Sequence, residues 1–205
     1  MIDSKILPLQ HKLLSPMSHI LVKANVRADQ ITIAGFLIGL IAVPFIAYQY
    51  YLLGLIFILL NRIFDGLDGQ VARLTAPSDR GAFLDITLDF AFYALIPLSF
   101  AIANPEEHAL PAAVLITAFV GTGSSFLAFA LLAEKRNLKS LQFKSKGLYY
   151  LGGLTEGAET IALFVAFCIW PEHFALLAYC FAFACLTTTL CRWHQGYTLL
   201  DNSPQ

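Results

Sequence analysis

The chain is poor in charge. Of its 205 residues only 13% are Asp, Glu, Lys or Arg, against 58% hydrophobic. Soluble domains carry about 25% charged residues, so the composition excludes an ordinary water-soluble domain and fits an integral membrane protein of mean hydropathy +0.67. The four cysteines, Cys168, Cys180, Cys185 and Cys191, have no CxxC spacing and all fall in apolar sequence. They exclude a disulfide framework or zinc site and read as small buried hydrophobes. No secretory signal is visible, because Lys5, Lys12 and two prolines interrupt the first twenty residues before any apolar core. The net charge of −1 says little as a total, and nucleic acid is not an expected partner.

What the chain has instead is apolar sequence in six segments, at 31–50, 52–74, 81–103, 111–133, 155–170 and 173–191. Several match the roughly 20 residues that cross a bilayer, and the last two are short. Lys5, Lys12, Lys23 and Arg27 precede the first segment, Arg73 and Arg80 flank the second connection, and Lys135, Arg136, Lys139, Lys144 and Lys146 fill the fourth. Arg192 follows the sixth segment, while the odd-numbered connections contain no Lys or Arg. Positive charge marks the cytosolic side. Both termini and the connection at 75–80 are therefore expected there, with Tyr149 and Tyr150 as an interfacial aromatic anchor. Residues 4–24 place Ile6, Leu9, Leu13, Met17, Ile20 and Leu21 at helical spacing, with Lys5, His11, Lys12 and Lys23 elsewhere. That pattern predicts an amphipathic helix, broken near Pro16, on an anionic membrane surface or packed on the protein's own cytosolic face. The expected fold is all-α: an interfacial helix in 1–28, a six-helix membrane core in 31–192, and a cytosolic tail in 193–205.

Four carboxylates interrupt this apolar sequence. Asp65 and Asp68 stand in Asp65-Gly66-Leu67-Asp68-Gly69-Gln70-Val71-Ala72-Arg73, and Asp85 and Asp89 in Gly81-Ala82-Phe83-Leu84-Asp85-Ile86-Thr87-Leu88-Asp89. An ionised group at mid-bilayer costs about 2.5–3.5 kcal/mol on insertion scales. Spacings of i, i+3 and i, i+4 put each pair on one helix face. If the two helices run antiparallel around residues 75–80, the pairs converge, and carboxylates that converge need a cation. Hard dications take oxygen ligands, and two of them side by side form a common clamp for displacement at phosphorus. Gly69, Ala72 and Gly81 keep these faces low enough for a flat ligand to approach the backbone. A structural role with Arg62 or Arg73 as ion-pair partners, or a place in an ion pathway, are the competing readings for any one Asp.

The two stretches together resemble the signature of the CDP-alcohol phosphatidyltransferases, D-x2-D-G-x2-A-R, a spacer, then G-x3-D-x3-D, with every lettered position filled. The spacer, residues 74–80, is shorter than the family's usual one, and Gln30-Ile31-Thr32 opens the first membrane helix as in the family. The resemblance is closest to short bacterial members and implies transfer of a phosphatidyl group from a CDP-linked lipid to an alcohol, with release of CMP. It further implies two Mg²⁺ or Mn²⁺ ions on Asp65, Asp68, Asp85 and Asp89, Asp89 as the catalytic base, and a nucleotide pocket of Thr32, Gly69, Ala72, Arg73 and Gly81. A homodimer in the bacterial inner membrane, with its active site facing the cytoplasm, completes the implied picture. An intramembrane Mg²⁺-dependent prenyltransferase and a cation transporter are the rival readings. The first leaves the Gly-x2-Ala-Arg tail unexplained, and the second predicts cation flux with no dependence on a nucleotide.

Weaker signals surround this stretch. Gly35 and Gly39 share a face with Thr32 and suit a helix crossing, and the run Gly121-Thr122-Gly123-Ser124-Ser125 suits packing or a dimer contact. Glu156 and Glu159 enter the fifth segment at i, i+3, either as helix-terminal groups beside Thr155 or at the acceptor site. With no intramembrane cation in view beyond Arg62 and Arg73, the acceptor is expected to be an uncharged or cationic alcohol and not a phosphorylated one.

Overall fold

A computed structural model describes the backbone of residues 3–135 and 155–201, with side chains from Lys12 onward. The lysines at 139, 144 and 146, Arg136, Tyr149 and Tyr150 lie outside the described residues, as do the side chains of Lys5, Ile6, Leu9 and His11. Among the described residues the chain is helical, without strands: α1 Asp3–Lys23, α2 Ala28–Ala47, α3 Tyr51–Leu74, α4 Asp79–Ala103, α5 Pro105–Lys135, α6 Gly157–Ile169 and, after a single 3₁₀ turn at Pro171–His173, α7 Phe174–Asp201.

Four of these, α2, α4, α5 and α7, are long and apolar enough to cross a membrane, so the six expected spans reduce to four by that criterion. α3 has the length, 24 residues, but its second half carries Arg62, Asp65, Asp68 and Arg73. α6 has 13 residues, which at 1.5 Å each reach about 20 Å, short of the hydrocarbon thickness. The sixth segment, expected to be short, is instead a helix of 28 residues that continues as far as Asp201, into the stretch assigned to the tail. Thr187, Thr188 and Thr189 depress its hydropathy yet do not end it, because each hydroxyl donates back to the carbonyl four residues earlier. α1 likewise runs unbroken through Pro16. It packs along α3, and tertiary packing outweighs the one hydrogen bond that proline removes.

α1 packs on the protein's own face, one of its two expected roles. Leu14, Leu21 and Val22 pack against the buried group Ile31, Leu67 and Val71, and Ser18, fully buried, donates to the Gln70 side chain at 3.1 Å. Leu13, Met17 and Ile20 face outward and are largely exposed, an apolar stripe suited to lipid. Two of the cysteines depart from expectation: Cys168 and Cys185 are buried, whereas Cys180 and Cys191 are exposed on α7.

α2 packs against both α3 and α4, and α5 against α4 and α7. The crossings use the small residues the sequence offered. A Cβ on Gly35 would lie 2.6 Å from that of Phe64, and one on Gly39 would lie 2.9 Å from the Phe92 ring, so both glycines serve helix contact. Gly121 does the same against Thr189 of α7. The end of the bundle away from the carboxylates is filled by rings: Phe100 stacks on Phe174 with centroids 4.8 Å apart and on Tyr51 at 5.4 Å, and Phe167 tilts against both Phe100 and Phe174. Phe92, Phe100, Phe164, Phe167 and Phe174 are completely inaccessible.

Candidate active site

The connection between α3 and α4 is shaped by its own hydroxyls. Thr75 closes α3 by donating to the Val71 carbonyl at 2.8 Å, and Ser78 caps α4 by accepting from the Gly81 N–H at 3.1 Å. Arg80, in the first turn of α4, forms an ion pair with the buried Asp29 at the start of α2, its Nε donating to Oδ2 at 3.0 Å. The short spacer is thereby fastened to α2. Gly81 sits where a Cβ would lie 3.2 Å from Asp29 Oδ1, so glycine permits this close approach.

α3 and α4 then carry their carboxylates toward one another, with α2 packed on both. Asp65, Asp68 and Asp85 each present an oxygen, all within 4.8 Å of one another. Asp68 is buried, and its Oδ2 has no hydrogen-bond partner among the described residues. A buried carboxylate oxygen left unpaired is costly, and a hard cation held by three converging carboxylates removes that cost. The donor set therefore fits a divalent ion. Asp89, the fourth carboxylate, faces the same space but is engaged elsewhere: Arg62 Nη2 donates to its Oδ1 at 2.6 Å and Nη1 to its Oδ2 at 3.5 Å. The structure thus brings three of the four expected ligands into one cluster and pairs the other with a guanidinium.

The cluster opens into a cavity of about 1460 Å³. Thr32, Gly69, Ala72, Arg73 and Gly81, the residues expected to form a nucleotide pocket, all line it together with Asp68, Asp85 and Asp89. Asp65 and Thr32 also border a small adjoining void beneath the cluster. Gly69 exposes a flat patch beside Arg73, whose guanidinium a Cβ there would only touch at 3.5 Å. The opposite wall comes from α5, α6 and α7: Thr122, Gly123 and Ser124, then Thr155, Glu156 and Thr160, then Arg192.

Glu156 is the N-cap of α6, and its N–H donates to Glu159 at 3.2 Å. Glu159 is thereby committed to the helix end, while Glu156 lines the cavity.

Arg192 was invisible as a site residue in the sequence, where it reads as a charge beyond the last span. It lies inside α7, is 7% exposed, donates to the Thr122 carbonyl at 3.1 Å and stacks over Phe126. Arg192 thus adds a buried cation, on the cavity wall, to the Arg62 and Arg73 that the sequence offers, and it weighs against the electrostatic argument that excludes a phosphorylated acceptor. A buried Arg needs partners; a cation three residues beyond a run of threonines was the available signal.

Comparison with known proteins agrees with this geometry. The sequence pattern of the CDP-alcohol phosphatidyltransferase domain matches residues 25–191. The inner membrane protein YnjF of Escherichia coli K12 is 48% identical over 202 residues, 98% of each chain. Over a shorter stretch of 91 residues, 42% of this chain and 46% of the relative, identity is 36% to the archaetidylinositol phosphate synthase of Pyrococcus horikoshii. A crystal structure of Mycobacterium tuberculosis phosphatidylinositol phosphate synthase with CDP-DAG bound shares the fold, with a TM-score of 0.68 over 91% of this chain and 94% of that one at 20% identity. The match across almost the whole membrane core, on a chain whose three clustered carboxylates stand at the edge of an open cavity, makes this a transferase belonging to the CDP-alcohol phosphatidyltransferase family.

Proposed function

We propose that a CDP-linked lipid such as CDP-diacylglycerol binds in the cavity beside α3 and α4, and that its phosphatidyl group passes to an alcohol entering along the α5–α7 wall, with release of CMP. The observation that carries this reading is the convergence of Asp65, Asp68 and Asp85, with the unpartnered Asp68 oxygen, where Asp68 and Asp85 line a cavity large enough for a nucleotide head and an acceptor together and Asp65 borders the adjoining void. These three carboxylates would hold Mg²⁺ or Mn²⁺. A dication there supplies positive charge to the diphosphate and makes CMP a better leaving group. Gly69, Ala72 and Gly81 admit the nucleotide close to the backbone, Thr32 borders it from α2, and Arg73 offers its planar fork to phosphate oxygens. The acceptor oxygen attacks the lipid-side phosphorus, the bond from that phosphorus to the bridging oxygen breaks, and the hydroxyl proton goes to Asp89.

The chain lies in the bacterial inner membrane, as its Escherichia coli relative is named for. α2 to α7 make six passes or partial passes, with both termini and the 75–78 connection on the cytoplasmic side, where nucleotides are. A homodimer is the proposed assembly. Purified protein given CDP-diacylglycerol, Mn²⁺ and a panel of free and phosphorylated alcohols tests the reading by CMP release. Release that depends on one class of alcohol supports it, and no release with any alcohol overturns it.

A further inference from the structure

At the α3–α4 connection only Ala76 and Pro77 stand between Thr75, which closes one helix, and Ser78, which caps the next. Both of those hydroxyls bond within their own helix. Arg80 reaches outside: its Nε donates to Asp29 Oδ2 at 3.0 Å, and Nη2 donates to the same oxygen. Asp29 stands in the first turn of α2, one turn before Thr32, and its side chain is 13% exposed against 67% for Arg80. Its other oxygen, Oδ1, approaches Gly81, where a Cβ would lie 3.2 Å away. One carboxylate of α2 thus meets the first turn of α4 with both oxygens, and Asp29, Arg80 and Gly81 line the cavity together with Thr32, Gly69 and Ala72.

We infer that Asp29 and Arg80 are positioning residues for the donor: their ion pair sets the gap between the α2 wall and the α4 wall of the nucleotide pocket, and with it the donor's affinity. The inference rests on the proposed donor site and deepens it. Thr32 and Gly81 border that site from two different helices, and the tie between Asp29 and Arg80 fixes how far apart they stand. A buried carboxylate deprived of its partner is costly, which keeps Arg80 on Asp29 although the guanidinium itself is largely exposed. Without the pair the connection is confined by its two local caps, the receptive arrangement is populated part of the time, and the apparent affinity falls by that fraction. Asp29 and Arg80 act through each other in this arrangement, whereas two residues that each touched the donor would act independently.

Equilibrium binding of CDP-diacylglycerol to detergent-purified protein in Mn²⁺, which needs no turnover, is the test. Asp29→Asn keeps the shape and removes the charge, and Arg80→Met removes the guanidinium. Each is expected to raise the donor Kd about tenfold, as the receptive population falls to roughly a tenth, and the double variant no further than either single one. The acceptor KM is expected to stay at the wild-type value in all three, a split that general loosening of the bundle would not give. Single effects that multiply in the double variant, a donor Kd unchanged in either single variant, or an acceptor KM that rises in step overturns the inference while leaving the donor site intact. A wild type that binds no CDP-diacylglycerol overturns the donor site as well. If Asp29→Asn does not fold, amide exchange in Arg80→Met without donor decides: faster exchange across residues 76–82 than in wild type supports the tie, and unchanged exchange overturns it, because a residue that acted only by touching the donor would leave the free protein as it is.

Discussion

At one end of the bundle Tyr51, Phe100, Phe167 and Phe174 stack with no accessible space between Phe100, Phe167 and Phe174. At the other, the same α3 and α4 carry glycine, alanine and aspartate around an open cavity of about 1460 Å³. The two ends are parts of the same helices with opposite compositions, and the difference separates their duties. Inside a bilayer, burial of apolar surface contributes little to helix association, so close packing of rings and small residues must hold the bundle. The aromatic end does this and frees the other end to keep polar groups whose satisfaction waits for a ligand. A site that is open and acidic is poorly packed, and it needs a rigid neighbour to stay in place.

The comparison breaks most sharply at the carboxylates. Asp68→Asn and Asp85→Asn should each take CMP release to background, because a neutral amide cannot supply the charge that holds a hard dication. Both variants should keep their fold and lose the thermal shift that Mn²⁺ gives the wild type by mass action. Equal shifts in wild type and variants would remove the cation from the account. The aromatic end should give the mirror image: Phe100→Ala is expected to cost about 3–5 kcal/mol of stability, read as a lower melting temperature, with turnover per folded molecule unchanged.

Smaller effects sharpen the boundary within the open end. Arg192→Gln should raise the acceptor KM by about 10–100-fold, the range for losing a hydrogen bond to a charged group, and leave the donor KM alone. Equal effects on both would place Arg192 in packing and not at the acceptor wall. Gly69→Ala and Gly35→Ala separate the two uses of glycine on these helices. At Gly69 a methyl has room beside Arg73, so the melting temperature should hold while the donor KM rises. At Gly35 it would meet Phe64 at 2.6 Å, and the cost should appear as about 1–3 kcal/mol of lost stability.

The carboxylate stretches were legible in the sequence because chemistry fixes their residue types and helix geometry fixes their spacing. The pattern 65–89 needs nothing from elsewhere in the chain to be seen. Arg62 was legible only as one possible ion-pair partner and Arg192 only as a charge, since their partners lie far away in sequence: Asp89 is 27 residues from Arg62, and Thr122 is 70 residues from Arg192. The same limit hid the Asp29–Arg80 pair, 51 residues apart, which secures the short connection that the sequence could only register as short. Helix ends were misjudged where hydropathy and hydrogen bonding disagree. Thr187 to Thr189 lower the apolar signal of α7, but each satisfies its hydroxyl within the helix, and α1 passes Pro16 because α3 supports it. Glu156 and Glu159 were readable as either cap or site, and the structure places both at the helix end with Glu156 alone of the two lining the cavity.

The account stands most directly on the cation dependence of nucleotide release. Wild-type protein in detergent, with CDP-diacylglycerol and the best alcohol of the panel, should release CMP in step with new phospholipid, stop when EDTA is added, and resume on excess Mn²⁺. CMP release that continues undiminished in EDTA, or that Asp68→Asn supports as well as wild type, would contradict it.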